Sequence, residues 1–357
     1  MADSVDQALN PADSPQRRER PTFEDLAFDP ELTPGARNAV EVCLAIRPRE
    51  KVTLITDQAT REIGASIVAE LRRAGAIYGA WLLEDLAPRP LVEFPAEIAA
   101  DLETSQVSIF AVQAQANELP SRMQMTDIVN RNKIRHAHMV NINPQIMREG
   151  MRADFRKVDG ISTRVLQMVE PASEIRAKTA AGTDLVTRLN PNYRWLKTSG
   201  LISPEKWGNL PGGEVFTTPE EVNGTFVIDG VVGDWLCAKF GELRQTPLTI
   251  RVQQNRVTEA HSSNRELEDD FWRYTHTDEN SDRVGEFAIG TNIELKDVIG
   301  QILQDEKYPG VHIAFGNPYG MHTGADWYSS THIDVVGRKF DIWVDGKQIM
   351  RAGCFVI

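Results

Sequence analysis

Cysteine is scarce and scattered in this sequence. The 357-residue chain has three, Cys43, Cys237 and Cys354, with no C-x-x-C pair. That usage excludes a disulfide-framed scaffold and a thiolate zinc site, and it suits a reducing compartment. Long apolar runs are missing too: none approaches the roughly 18 residues that span a bilayer. The first ten residues, MADSVDQALN, lack the basic start and apolar stretch of a secretory signal. A cytoplasmic protein that engages no membrane is the expectation. Positive charge is in deficit, with 39 Lys and Arg against 51 Asp and Glu, a net charge of −12. Such a surface repels phosphate backbones, and no basic stripe with interleaved aromatics offsets it, so nucleic acid is not an expected partner.

What is present is patterned. Single cores stop growing near about 250–300 residues, so the length favours two domains. Residues 1–38 are polar and carry prolines at 11, 15, 21, 30 and 34; they read as a mobile N-terminal arm, with Phe23, Leu26, Phe28 and Leu32 available to dock. From Ala39 strand-like runs alternate with helical spacings. Lys51–Thr56, Ile77–Leu83, Val107–Val112 and His138–Ile142 read as strands, and Ile63, Ile67, Val68 and Leu71 mark one face of a helix closed by Gly75. This alternation predicts an α/β domain over 39–175 with a mainly parallel sheet. No G-x-G-x-x-G follows the first strand, which leaves dinucleotide binding unsupported. His136 and His138, at a strand start, read as structural.

Residues 176–357 predict a β-rich α+β domain. Phe226–Asp229, Pro247–Val252 and Lys339–Val344 are strand-like, with turn chemistry at Asn223-Gly224 and Asp345-Gly346. Asn223-Gly224-Thr225 also matches a glycosylation acceptor, but the hairpin turn is the better reading without a secretory signal. Two helices are expected, Asn264 to about Tyr274 and one opened by a capping box at Thr291 and Glu294.

Ionisable residues sit inside the apolar runs of this half. Tyr308-Pro-Gly-Val-His-Ile-Ala-Phe-Gly316 embeds His312, and Ser330-Thr-His-Ile-Asp-Val-Val336 embeds His332 and Asp334. Residues two apart on a strand share a face, so His332 and Asp334 project together while Ile333 and Val335 point to a core. Two imidazoles and a carboxylate can hold non-haem iron(II) or catalytic zinc; an H-x-D pair is equally the pattern of a buried ion pair. Glu214 follows Gly212-Gly213, and Glu286 follows Gly285 in Val284–Gly290. A buried lone carboxylate costs several kcal/mol unless it is paired or binds metal. Together the segments supply three carboxylates and two imidazoles, enough for two ions or for one ion and a general base. His322, Asp326 and Asp341 lie nearby, His322 and Asp326 as possible lining of a pocket. His261 and His276 read as exposed loop residues without partners, and Trp272 and Trp327 as core or pocket wall.

The segments Pro211-Gly-Gly-Glu-Val-Phe216, Gly285–Asn292, Asp305–Gly316 and Thr331–Val335 resemble the thermophilic metallo-aminopeptidases of the aminopeptidase T and S type; Ala45–Asp57 and Ala181–Asp184 fit more loosely. The resemblance implies a dimeric or higher homo-oligomeric hydrolase that removes N-terminal residues from small peptides or amides. It implies two divalent ions (zinc, cobalt or manganese) held by Glu214, Glu286, His312, His332 and Asp334. Tyr319, seven residues past His312, would act as an oxyanion donor, and Glu286 is the first choice as proton carrier. The interval between His312 and His332 is shorter here than in those aminopeptidases. A second branch of the same superfamily, the iron(II) dioxygenases that open 2,5-dihydroxypyridine, shares the two His and the Asp; Glu214 and Glu286 favour the hydrolase.

Overall fold

The computed structural model describes residues 22–115, 117–204 and 208–357. Its first layer is a parallel sheet of β1 (Lys51–Thr56), β2 (Ile77–Leu82), β3 (Val107–Ala111) and β4 (Arg135–His138), in the order 2-1-3-4. Beside β4 lies the short β8 (Gly208–Asn209), also parallel and supplied from far along the chain. Strands covered on both faces read as continuous apolar runs. Val52 and Leu54 of β1 pack with Ile63, Ile67 and Leu71 of α1 (Arg61–Arg73). Ile55 and Phe110 pack on the opposite face with Met125 and Val129 of α2 (Leu119–Arg131). A third helix, α3 (Phe155–Val169), leads out of this layer.

Two antiparallel sheets follow. One has eight strands in the order 12-11-10-6-5-16-17-18: β5 (Glu174–Lys178), β6 (Asp184–Leu189), β10 (Pro219–Ile228), β11 (Leu248–Gln253), β12 (Arg256–Ser262), β16 (Asp341–Val344), β17 (Lys347–Arg351) and β18 (Cys354–Phe355). The other has five in the order 15-14-13-9-7: β7 (Leu196–Thr198), β9 (Glu214–Thr217), β13 (Val284–Gly290), β14 (Gly310–Gly316) and β15 (His332–Val336). A single apolar cluster joins them, with Phe226 and Ile250 from the larger sheet and Phe287, Ile313, Phe315, Ile333 and Val335 from the smaller. Phe226, Phe287 and Phe315 are fully buried, each contributing about 2–3 kcal/mol of transfer free energy. Helices α4 (Asp234–Phe240) and α5 (Arg265–Tyr274) complete this half. The mixed architecture, a parallel α/β layer followed by a β-rich α+β part, is the one read from the sequence. Among the described residues no helix is long and apolar enough to cross a membrane.

Several local expectations shift. The fourth strand ends at His138 and does not run to Ile142. Asn223-Gly224 makes no turn: it lies inside β10, where Asn255 side-chain and Val252 main-chain pairing hold the strand through it. Asp345-Gly346 does turn, with φ of 45° and 81°, between β16 and β17. Thr291 caps no helix, because its hydroxyl is buried against Ser162 Oγ at 2.7 Å. Asn264 does cap α5, accepting from the amides of Glu266 and Leu267. Residues 1–21 of the expected arm lie outside the described residues; beyond them Leu32 and Ala36 are fully buried.

Candidate metal centre

The period of two along the five-stranded sheet sorts its side chains. Val215, Phe287, Ile289, Val311, Ile313, Phe315, Ile333 and Val335 enter the apolar cluster. Their alternates, Glu214, Glu286, His312, His332 and Asp334, therefore share the other face. A bulge between Val284 and Glu286 turns Val284 into the core while leaving Glu286 on the polar face. Register then sets small residues between the functional ones. Ala314 pairs with both Glu286 and Asp334, Ala288 pairs with His312, and Gly290 pairs with Glu214. Gly290 has a packing reason: a Cβ there would meet the Tyr308 carbonyl at 2.0 Å. The small side chains leave space over the sheet where the long polar ones converge.

The distances show that convergence. His312 Nε2 lies 3.4 Å from Glu286 Oε1 and 3.6 Å from Glu214 Oε2. His332 Nε2 lies 3.5 Å from Asp334 Oδ1 and 3.8 Å from Glu286 Oε2. Two trios bring their ligand atoms within 4.8 Å of one another, Glu214–Glu286–His312 and Glu286–His332–Asp334. Glu286 belongs to both, one oxygen toward each imidazole.

Around the trios stand residues that the sequence did not single out. Lys307 is 1% exposed; its ammonium donates to Glu214 Oε1 at 2.7 Å and to Glu306 Oε1 at 2.5 Å. Thr198 also donates to Glu214 Oε1, at 2.7 Å, so Glu214 keeps only Oε2 for the cluster. Asn317 positions two groups at once. Its carbonyl accepts from His332 Nδ1 at 3.0 Å, and its side-chain oxygen accepts from the Tyr319 amide at 2.9 Å. The bond at Nδ1 orients the His332 ring with Nε2 toward the carboxylates. Tyr319 adopts left-handed backbone angles, φ 49° and ψ 47°, a conformation that costs a bulky residue on the order of 1 kcal/mol or more and gathers at functional sites. Its ring lies 4.5 Å from that of His332. A charged pair on the eve of an apolar strand looks like a solvated strand start, which is why Glu306 and Lys307 escaped the sequence reading.

Electrostatics explain what the cluster requires. Burial would push both imidazoles down, but the carboxylates outweigh it: Glu286, Glu214 and Asp334 hold His312 above its ordinary range, and Asp334 carries His332 to about 10. Burial would raise Asp334, yet His332 pulls it to about 2. Desolvation raises Glu306 to about 8 despite Lys307. Three carboxylates, Glu214, Glu286 and Asp334, thus crowd around the two imidazoles and the Lys307 ammonium, and His312 Nε2 is a buried nitrogen with no hydrogen-bond partner. An orphaned imidazole nitrogen among surplus carboxylates is a donor set that divalent cations satisfy.

The remaining candidates lie elsewhere. His322 sits in the short helix Gly320–Thr323, where its carbonyl accepts from Arg194 Nε at 2.6 Å. Asp326 joins neither trio. Asp341 accepts the Ala352 amide at 2.8 Å in the strand pair it belongs to. His261 is on β12, and not in a loop, 3.8 Å from Glu259. His276 does have a partner, stacking on Trp272 with ring centroids 4.3 Å apart. Arg283 lies over the Trp327 ring at 3.5 Å. His136 takes Ser108 Oγ at Nδ1, 2.7 Å away, and burial holds it at about 3, a neutral structural imidazole.

The model of the thermophilic metalloproteases (M29) matches residues 103–339, well over half of the chain and all five candidate ligands. The chain belongs to that family. Among solved structures, this metalloprotease-family chain is similar to wild-type AmpT from Thermus thermophilus, with 18% identity, a TM-score of 0.65, and coverage of 93% of this chain and 100% of that one. It is similar in fold to the 2,5-dihydroxypyridine dioxygenase of Pseudomonas putida KT2440, with 17% identity, a TM-score of 0.66, and coverage of 91% and 96%. In sequence, a curated 2,5-dihydroxypyridine 5,6-dioxygenase of Pseudomonas putida is 23% identical over 195 residues, 52% of this chain. The chain spans about half (55%) of that relative's length. At these identities the structural likenesses establish the fold, and the family establishes the metalloprotease class.

Proposed function

We propose that the chain is a metal-dependent aminopeptidase that removes N-terminal residues from small peptides or amides. One observation carries the reading: the Glu286 carboxylate stands between two imidazoles, with Glu214 completing one trio and Asp334 the other. Divalent ions held by these trios, zinc, cobalt or manganese, would polarise a scissile carbonyl and lower the pKa of water toward neutrality. Glu286, first choice as proton carrier from sequence, takes the shared position, because both of its oxygens face ligand nitrogens. Glu214, whose Oε1 is occupied by Lys307 and Thr198, would give its remaining Oε2 to the ion on the His312 side. Tyr319, its phenol held protonated by desolvation and by the carboxylates of Glu286 and Asp334, donates to the developing oxyanion. The acidic wall attracts a substrate's free amine. A cytoplasmic homodimer or higher homo-oligomer belongs to the same proposal.

The similarity to the pyridine dioxygenase motivates a second reading, iron(II) on His312, His332 and Asp334. The two trios split that set, with His312 in one and His332–Asp334 in the other, and this favours the hydrolase. The deciding experiment uses protein reconstituted with zinc, manganese, cobalt or iron(II) and assayed on leucine p-nitroanilide with and without chelator and oxygen. Chelator-sensitive, oxygen-independent release of nitroaniline is expected. Oxygen-dependent loss of 2,5-dihydroxypyridine with no amide hydrolysis would reverse the assignment.

A further inference from the structure

Tyr319 reaches the metal centre on a segment that leaves β14 at Gly316 and rejoins the sheet at His332 of β15. Both ends of that segment therefore lie on the two strands at one edge of the five-stranded sheet. Its anchor is at the opposite edge. Thr217 Oγ1, at the end of β9, donates to the Arg194 carbonyl at 3.0 Å, which fixes Arg194 just ahead of β7. Strand β7 is separated from β14 by β13 and β9, so the turn that carries Tyr319 spans the end of the sheet, about 14 Å at the usual strand spacing.

Arg194 grips that turn at three successive carbonyls. Its amide donates to the Thr323 carbonyl at 2.8 Å, its Nε to that of His322 at 2.6 Å, and its Nη2 to that of Met321 at 2.9 Å. These are the carbonyls that the short helix Gly320–Thr323 leaves without amide partners, and a cation is favoured beside them. The turn in turn holds the tyrosine. The His322 and Thr323 amides donate to the Tyr319 carbonyl at 2.8 and 3.0 Å. Beneath them the buried Thr218 Oγ1 lies 3.1 Å from the Pro318 carbonyl and 3.0 Å from Thr323 Oγ1. Met321 is 91% exposed, so its side chain anchors nothing and polar bonds secure the turn. The left-handed backbone of Tyr319 is the kind that persists only where its surroundings over-determine it.

We propose that Arg194 is a positioning residue for Tyr319: by holding the Met321 and His322 carbonyls it keeps the tyrosine ring against His332. The inference rests on the aminopeptidase reading, in which the Tyr319 phenol donates to the oxyanion. It adds to that machinery a side chain from the far edge of the sheet that belongs to neither ligand trio. The planar fork of a guanidinium can span two neighbouring carbonyls at once, which the point charge of a lysine cannot.

For the zinc-reconstituted enzyme on leucine p-nitroanilide, Arg194→Ala should lower kcat on the order of tenfold with KM nearly unchanged. Arg194→Lys should recover part of the loss. In the Tyr319→Phe background the same Arg194→Ala change should cost less than about twofold, because the group it positions is already gone. Bound zinc per chain should equal that of the parent in every variant. In the metal-free protein, hydrogen exchange of the 319–325 amides should quicken on the order of tenfold in Arg194→Ala, while β13 and β14 stay protected. Equal losses of kcat in the two backgrounds would overturn the proposal, as would a single variant as active as the parent or unchanged exchange at 319–325. Loss of zinc in Arg194→Ala would also overturn it, by making the arginine a general support of the fold. Absence of hydrolysis with every metal would sink the aminopeptidase reading, while the exchange experiment would still decide whether Arg194 holds the turn.

Discussion

Glu286 Oε1 and His312 Nε2 come from adjacent strands and approach to 3.4 Å, yet the imidazole nitrogen has no hydrogen bond. The paired residue opposite His312 on β13 is Ala288; Glu286 reaches across from two positions away on the same face. Two groups held this close without bonding are arranged for a third body between them.

That geometry predicts metal stoichiometry. Glu286→Gln should lose both ions, because it belongs to both trios, whereas His332→Ala should retain about one ion per chain at the Glu214–His312 side. Elemental analysis after gel filtration distinguishes them; equal losses in the two variants would contradict a shared carboxylate.

Chelation should also cost stability. A ligand bound at about a hundred times its Kd stabilises by about 2.7 kcal/mol, so the metal-free protein should melt several degrees lower, as read by calorimetry with and without chelator.

Lys307→Met removes the ammonium that Glu214 and Glu306 share in a buried setting. Stranding two carboxylates should destabilise the fold by about 3–5 kcal/mol in urea unfolding, and adding Glu214→Gln should recover part of the loss. A single variant as stable as the parent would mean that Lys307 does not hold Glu214 in place.

Tyr319→Phe should lower kcat on the order of a hundredfold with little change in KM, the signature of a donor used in the transition state. A change confined to KM would assign the tyrosine to binding.

Away from the metal centre, His136 predicts acid sensitivity. Burial holds its folded pKa at about 3, below the ordinary value of about 6.5. Both states are neutral above that value. As pH falls the unfolded chain takes up a proton that the folded protein refuses, so stability is lost progressively between about 6.5 and 3. The loss from pH 7 to 5 should be about 2 kcal/mol, and His136→Gln should flatten that part of the profile.

Much of this was legible in the sequence, for a physical reason. Period-two alternation is local, so placing His332 with Asp334 and turning Ile333 inward needs only the pleat of one strand. Alternating helices and strands likewise announced the parallel layer, and short motifs around Glu214, Glu286 and His312 pointed to the family. The errors came where a non-local partner overrode a local preference. Asn223-Gly224 has strong turn chemistry, but cross-strand pairing on both sides carries β10 through it. Thr291 and Glu294 spell a capping box, but Ser162, from α3, captures the threonine.

By itself the sequence determined which residues face the same side of each strand, the alternation of layers, and the donor types available for a cation, because these depend on neighbours one to four positions away. Only the tertiary structure decided that Glu286 stands between the two imidazoles, and that Lys307 and Thr198 claim one oxygen of Glu214. Those relations depend on strand register and on side chains brought together from 16 to 93 positions apart along the chain, which no local pattern encodes.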